Sequence, residues 1–177
     1  MPYQCKSELK ILKMNSNIHS INFKEVILNG LNTSNDMDIK VAISDILEEN
    51  SFSLNDSDEN IFTINLWLQE NILTFIVNSH QSQINLKTVS INFKSVSKIL
   101  KEYIILCDSY YDSIKSSPIQ KVEALDMGRR SLHDDASHDL LSKLKGNIDM
   151  GFDTARRFVT LFSIIQRKSL LGKNILV

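Results

Sequence analysis

All five arginines of this chain lie in its last third, at Arg129, Arg130, Arg156, Arg157 and Arg167, and four of them form two adjacent pairs. The other fifteen basic residues are lysines scattered along the whole sequence. The distinction is chemical. A guanidinium is a planar fork of donors that grips a carboxylate or a phosphate in bidentate fashion, whereas an ammonium acts as a point charge. The first pair sits in Asp126-Met127-Gly128-Arg129-Arg130-Ser131-Leu132-His133-Asp134-Asp135. On a continuous helix, Asp126, Arg130 and Asp134 stack at i, i+4 as an acid-base-acid ladder. Arg129 and His133 make a second i, i+4 pair at the edge of the apolar stripe. Two roles are open. In the structural one, Arg129 and Arg156 or Arg157 tie the last helices to Asp108, Asp112 or Asp153. In the functional one, Arg129, Arg130, Arg156 and Arg157 converge with the N-terminus of the last helix on a carboxylate or phosphate. If chemistry followed binding, His133 would be its general acid or base, with Asp126 or Asp134 beside it.

Other chemistries are poorly served. His133 and His138 are five residues apart and fall on different helix faces, with no cysteine or His-x3-His pattern to complete a zinc site. Asn55-Asp56-Ser57-Asp58-Glu59-Asn60 begins like a calcium loop. It then places Ile61 where the sharp-turn glycine belongs and Trp67 where the bidentate glutamate belongs. No metal site is therefore expected. Ser131 and His133 are two apart and do not face each other on a helix, and no nucleophile elbow is present. The five glycines form no cluster, which removes the phosphate-cradling loops of the common nucleotide folds. No cofactor is expected.

A chain of 177 residues fits one domain, residues 1–177. Residues 1–16 read as a loose arm and 168–177 as a tail of lysine and aliphatic residues. The net charge of −1 argues against nucleic-acid binding. The charge is uneven, however. From Val41 to Leu86 there are seven acids and no lysine or arginine, and after Asp153 there are five bases and no side-chain acid. Two solvated faces of opposite sign account for this; self-association into a homo-oligomer or docking to a charged protein partner is the sharper alternative. Cys5 and Cys107 do not make a disulfide framework. No stretch is long and apolar enough to span a membrane, and the first residues are too polar for a signal peptide. The protein reads as cytoplasmic.

Elements must position the arginines. Ile18 to Phe23 reads as a first strand. Asp36 is an N-cap for a helix to about Glu49, with Asn50 as its left-handed closing residue. Phe62, Ile64, Leu66 and Leu68 alternate with polar residues, Glu70-Asn71 is a two-residue hairpin turn, and 72–77 and 84–91 complete a meander. Phe93, Val96, Leu100, Tyr103, Cys107, Tyr110 and Ile114 step by three and four, a long amphipathic helix. Ser117-Pro118-Ile119-Gln120 opens a helix over 118–145 with a serine cap and a capping box, and Gly146 ends it. A last helix spans about 152–167. Strands first and helices second predict an α+β fold: an antiparallel sheet of three to four strands with helices on one face. Phe93, Leu100, Tyr103, Cys107 and Ile114 should be buried against Phe152, Val159 and Phe162.

Several stretches carry a resemblance: residues 43–52 (ISDILEENSF), Ser109-Tyr110-Tyr111-Asp112, residues 123–133 (EALDMGRRSLH), and Ile148-Asp149 with residues 152–157 (FDTARR). Together they are similar to uncharacterised protein family 0262, small proteins of alphaproteobacteria, over about residues 18–167. Departures are the segments outside that range, and Asn71 and Ser131 where the family carries glycine. The resemblance implies no activity, cofactor or catalytic residue. The functional expectation is therefore a small non-enzymatic binding or regulatory module whose partner is a protein or a small anionic ligand. An enzyme acting on a small anionic substrate through the Arg/His cluster is the alternative.

Overall fold

A computed structural model describes residues 17–23, 36–69 and 71–174, with side chains up to Leu170. The arm expected over 1–16 lies outside the described residues. Among these, the elements in order are β1 (Asn17–Phe23), α1 (Met37–Glu48), β2 (Phe52–Leu54), β3 (Ile61–Gln69), β4 (Ile72–Ser79), β5 (Asn85–Asn92), α2 (Lys94–Ile114), α3 (Ile119–Leu144), β6 (Ile148–Met150) and α4 (Phe152–Asn174). The fold is α+β. The main sheet has the order β1-β3-β4-β5.

The alternation along 62–68 does what period-two patterning requires. Phe62, Ile64 and Leu66 point inward and are fully buried, as are Leu73, Phe75 and Val77 of the next strand. Gln69 pairs with Ile72, so the hairpin turns over two residues, of which Glu70 lies outside the described set. β3, β4 and β5 are antiparallel as expected. The expected wholly antiparallel sheet needs one correction: β1 runs parallel to β3. The physical reason is the connection. α1 lies between the two strands in sequence, and a helical crossover returns the chain to the same end of the sheet, where a hairpin would reverse it.

Asp36 caps α1 through its side chain, which accepts from the backbone N–H groups of Asp38 and Ile39. Asn50 does not take a left-handed conformation; a positive φ among the described non-glycine residues occurs at Gln83. Its side chain works instead. The amide donates to the Ile46 carbonyl at 2.9 Å, and the oxygen accepts from the Ile18 N–H at 2.7 Å, tying the end of α1 to β1. The serine cap expected for α3 is also absent: Pro118 is the cap residue and no side chain bonds there. Gly146, at φ 88°, ends α3 as predicted.

α4 is the central helix and packs on α1, α2 and α3. Its Phe158 meets Phe75 of the sheet edge to face at 5.8 Å, and Phe162 meets Phe93 at 5.3 Å. Leu100, Cys107, Val159 and Phe162 are buried as expected, while Tyr103 and Phe152 are half-buried. Ile114 is a correction, at 52% exposed. A strict seven-residue repeat drifts by about 20° per heptad against 3.6 residues per turn. Over the three heptads from Phe93 to Ile114 the stripe rolls off the core. The expected tail from 168 is likewise helical as far as Asn174. Lys168 clamps it to the start of α1, with Asp36 and Asp38 each 2.8 Å away.

Candidate functional site

The local structure around the start of α4 sets the geometry of the arginines. β2 and β6 pair antiparallel: Phe52 with Met150 and Leu54 with Ile148. The Ser51 N–H donates to the buried Thr154 hydroxyl at 2.8 Å, and the Gly151 N–H donates to the Ser51 carbonyl at 3.0 Å. A Cβ on Gly151 would come 3.2 Å from the Ser51 Cβ, so glycine keeps this contact close. The first turn of α4 is thereby fixed against the end of α1. On α3, Gly128 performs a similar task. A Cβ there would lie 2.9 Å from Leu106, so the glycine serves the approach of α2.

α3 and α4 run antiparallel across this region, with His138 stacked on Phe152 at 4.6 Å and Asp134 paired with Arg156. Between them opens a cleft of about 360 Å³. α4 supplies Asp153, Arg156, Arg157 and Thr160, which share one face at i, i+3, i+4 and i+7. α3 supplies Arg129, Arg130 and His133, and α2 supplies Tyr103. All four arginines of the two pairs therefore line one cavity, together with His133.

Each arginine is engaged from the side. Asp126 holds two of them, Arg129 Nη2 at 2.5 Å and Arg130 Nε at 2.9 Å. The expected ladder thus forms in its first half only, because Asp134 turns to Arg156 across the helix interface. Arg129 also lies over the Tyr110 ring, 4.6 Å from its centroid. Arg157 has a structural task. Its Nη1 donates to the Glu49 carbonyl and its Nη2 to the Glu49 carboxylate, both at 2.7 Å, which satisfies an orphan carbonyl at the C-terminus of α1. Arg167 pairs with Asp108 at 2.7 Å, outside the cleft. Of the acids expected to pair with the two arginine pairs, Asp126 does so, whereas Asp108 pairs with Arg167 instead. In the described contacts, Asp134 and Glu49 take the parts expected of Asp112 and Asp153. Asp153 is an exposed residue in the cleft lining.

Four guanidiniums and four nearby carboxylates leave little net charge, so the cleft is not a bare positive field. Its resource is donors. Each guanidinium carries five N–H groups, and the carboxylate contacts engage one nitrogen each on Arg129, Arg130 and Arg156. The Arg129 Nε is buried with no hydrogen-bond partner among the described residues.

His133 is 7% exposed and fixed from two sides. Its Nε2 lies 3.0 Å from the Thr160 hydroxyl, and the Tyr103 ring meets it edge to face at 5.3 Å. Its Nδ1 is buried without a hydrogen-bond partner among the described residues. Burial, then the charges of Arg156 and Arg129, push its pKa down to about 4. The ring is neutral at physiological pH. Burial, with a hydrogen bond to Cys107, pushes the Tyr103 phenol up to about 12. Asp126 and Asp134, expected beside His133 as acid or base, are bonded to arginines instead. Thr160 was not singled out in the sequence; its spacing of seven from Asp153 on an arginine-bearing face was the available signal. No group of three His, Cys, Asp or Glu among the described residues is placed to hold a metal.

The profile of Uncharacterised protein family UPF0262 matches residues 15–168. The chain belongs to this family. A UPF0262 protein of Mesorhizobium japonicum is 42% identical over 126 residues, which are 71% of this chain and 78% of that protein. A UPF0262 protein of Agrobacterium fabrum is 36% identical over 125 residues, 71% and 79% of the two chains. One of Brucella canis is 37% identical over 126 residues, 71% and 78%. The resemblance drawn from the stretches at 43–52, 109–112, 123–133 and 148–157 is borne out. No solved structure matches the chain. No helix among the described residues is long and apolar enough to cross a membrane.

Proposed function

We propose that this UPF0262 protein is a small cytoplasmic binding module whose α3–α4 cleft holds a small anionic ligand, a carboxylate or a phosphate. Arg129 and Arg156 are its main donors and Arg130 stands at the rim. Arg157 lines the wall while capping α1. The observation that carries the reading is the buried, unpartnered Nε of Arg129 in a cavity that Arg156 also lines. A buried charged donor left without an acceptor is costly, and an oxyanion seated between the two guanidiniums supplies one. The enzymatic alternative draws less support, because His133 is bonded to Thr160 and the two candidate aspartates are bonded to arginines.

The test is thermal unfolding at constant ionic strength with inorganic phosphate, citrate and a panel of phosphorylated metabolites. A ligand at a hundred times its Kd should add about 2.7 kcal/mol of stability. Arg156→Lys, which keeps charge but loses the fork, should abolish most of the shift. The proposal fails if no member of the panel raises the Tm, or if Arg156→Lys responds as strongly as the wild type.

A further inference from the structure

We propose that His133 makes this cleft selective for an oxyanion that still carries a proton, namely hydrogenphosphate or a singly protonated phosphate monoester, over sulfate. The inference rests on the anion-binding reading above and names its ligand class.

One hydroxyl proton, on Thr160, has two acceptors in reach, the Arg156 carbonyl and His133 Nε2. Thr160 donates its hydroxyl to the Arg156 carbonyl at 3.2 Å. A hydroxyl has a single hydrogen. We assign it to the Arg156 carbonyl, so that the imidazole N–H carries the 3.0 Å contact at Nε2 and Nδ1 is a bare lone pair. It is buried with no donor to accept from among the described residues. Leaving such an acceptor unsatisfied costs about 1–3 kcal/mol, and an unsatisfied atom on a residue that lines the cleft calls for a reason.

The groups packed around the ring keep it an acceptor. Tyr103 faces it from α2, Arg129 stands on its own helix, and Arg156 and Thr160 come from α4. No carboxylate contacts the ring among the described hydrogen bonds, and the two cations disfavour a proton on Nδ1. The depressed pKa of about 4 agrees. The cleft therefore offers many donors for bare oxygens and, in His133, an acceptor for one O–H. Asp153 is the charged acceptor in the lining, but it is exposed to water. Sulfate matches phosphate in shape and carries no proton near neutral pH, so its fourth oxygen would face a lone pair. A phosphate monoester has a second pKa of about 6, so its protonated form is available just below neutrality.

The experiment compares inorganic phosphate, sulfate and methyl phosphate by calorimetric titration at pH 6, at equal ionic strength. Phosphate should bind the wild type at least about tenfold more tightly than sulfate, the scale of one buried hydrogen bond. His133→Phe should bring phosphate down to the sulfate level. His133→Gln, which keeps an acceptor and a donor, should retain part of the preference, and Asp153→Asn should retain all of it. Should His133→Phe not fold, the wild type still decides: methyl phosphate affinity must fall as pH rises from 5 to 8 while sulfate affinity stays level. Equal binding of phosphate and sulfate overturns this inference and leaves the anion site standing. So does a tenfold preference that survives in His133→Phe. Silence toward all three anions overturns this inference, while the anion site itself stands or falls on the thermal-unfolding panel that includes citrate and the phosphorylated metabolites.

Discussion

α4 touches the sheet with one side and the cleft with the other, and different forces hold the two sides. Toward the sheet, Phe158 and Phe162 stack edge to face on Phe75 and Phe93, all buried. Toward the cleft, Arg156, Arg157 and Thr160 are half-buried and held by directed contacts to Asp134, Glu49 and His133. The apolar side gains from area removed from water and tolerates small shifts. The polar side gains little net stability per contact but fixes atoms to within hydrogen-bonding distance. One helix thus carries the fold on one face and an arranged set of donors on the other.

The largest effect should come from the apolar face. Phe158→Ala should cost about 3–5 kcal/mol in chemical denaturation, and Leu100→Ala about 2–5 kcal/mol. Arg156→Lys, on the same helix, should cost under about 1 kcal/mol, as for a partly exposed ion pair. If Arg156→Lys proved as damaging as Phe158→Ala, the cleft would be scaffold and the contrast between the faces would collapse.

Next is a pH effect. The folded pKa of His133 is pushed down to about 4 from the ordinary value of 6.5. Between these values the unfolded chain binds a proton that the folded one refuses, so stability falls as pH drops through that window. After allowance for solvent screening the loss is on the order of 2 kcal/mol. Denaturation midpoints taken from pH 7 to pH 4 should show it, and His133→Gln should flatten that part of the profile.

Much of this was legible in the chain, for reasons that separate the same two faces. Periodicity reports burial, so it placed the meander, α2, and Leu100, Val159 and Phe162 in the core. It failed where burial depends on the end of a drifting stripe, as at Ile114. The short strands β2 and β6 span three residues each and carry no period to read. The direction of β1 is set by a crossover, which alternation within the strand does not encode. Within the cleft, arginine clustering and helical spacing brought Arg129, Arg130, Arg156, Arg157 and His133 forward together. Partners across elements were harder. Asp126 was found because it is four residues from Arg130, whereas Asp134 to Arg156 and Glu49 to Arg157 are tertiary contacts that local spacing does not determine.

Two smaller effects sharpen the picture on the polar side. Arg157→Ala should cost about 1 kcal/mol, the worth of one charge-assisted cap on the Glu49 carbonyl. Arg157→Lys should recover part of it, read from the same denaturation midpoints. Gly128→Ala should leave stability within about 1 kcal/mol of the wild type. The alanine gains helix propensity, while its Cβ presses on the terminal methyl of a flexible leucine, Leu106. A loss well above that in thermal unfolding would mean that α2 cannot yield at this contact.

The most direct measurement of the central claim is a proton–nitrogen correlation spectrum of the arginine Nε–H groups during titration with inorganic phosphate. The five arginines divide into four in the cleft and Arg167 outside it. The Arg129 and Arg156 signals should move in a saturable way, and the Arg167 signal should stay in place. Static signals throughout, or an Arg167 shift as large as the others, would contradict the assignment of an anion site to this cleft.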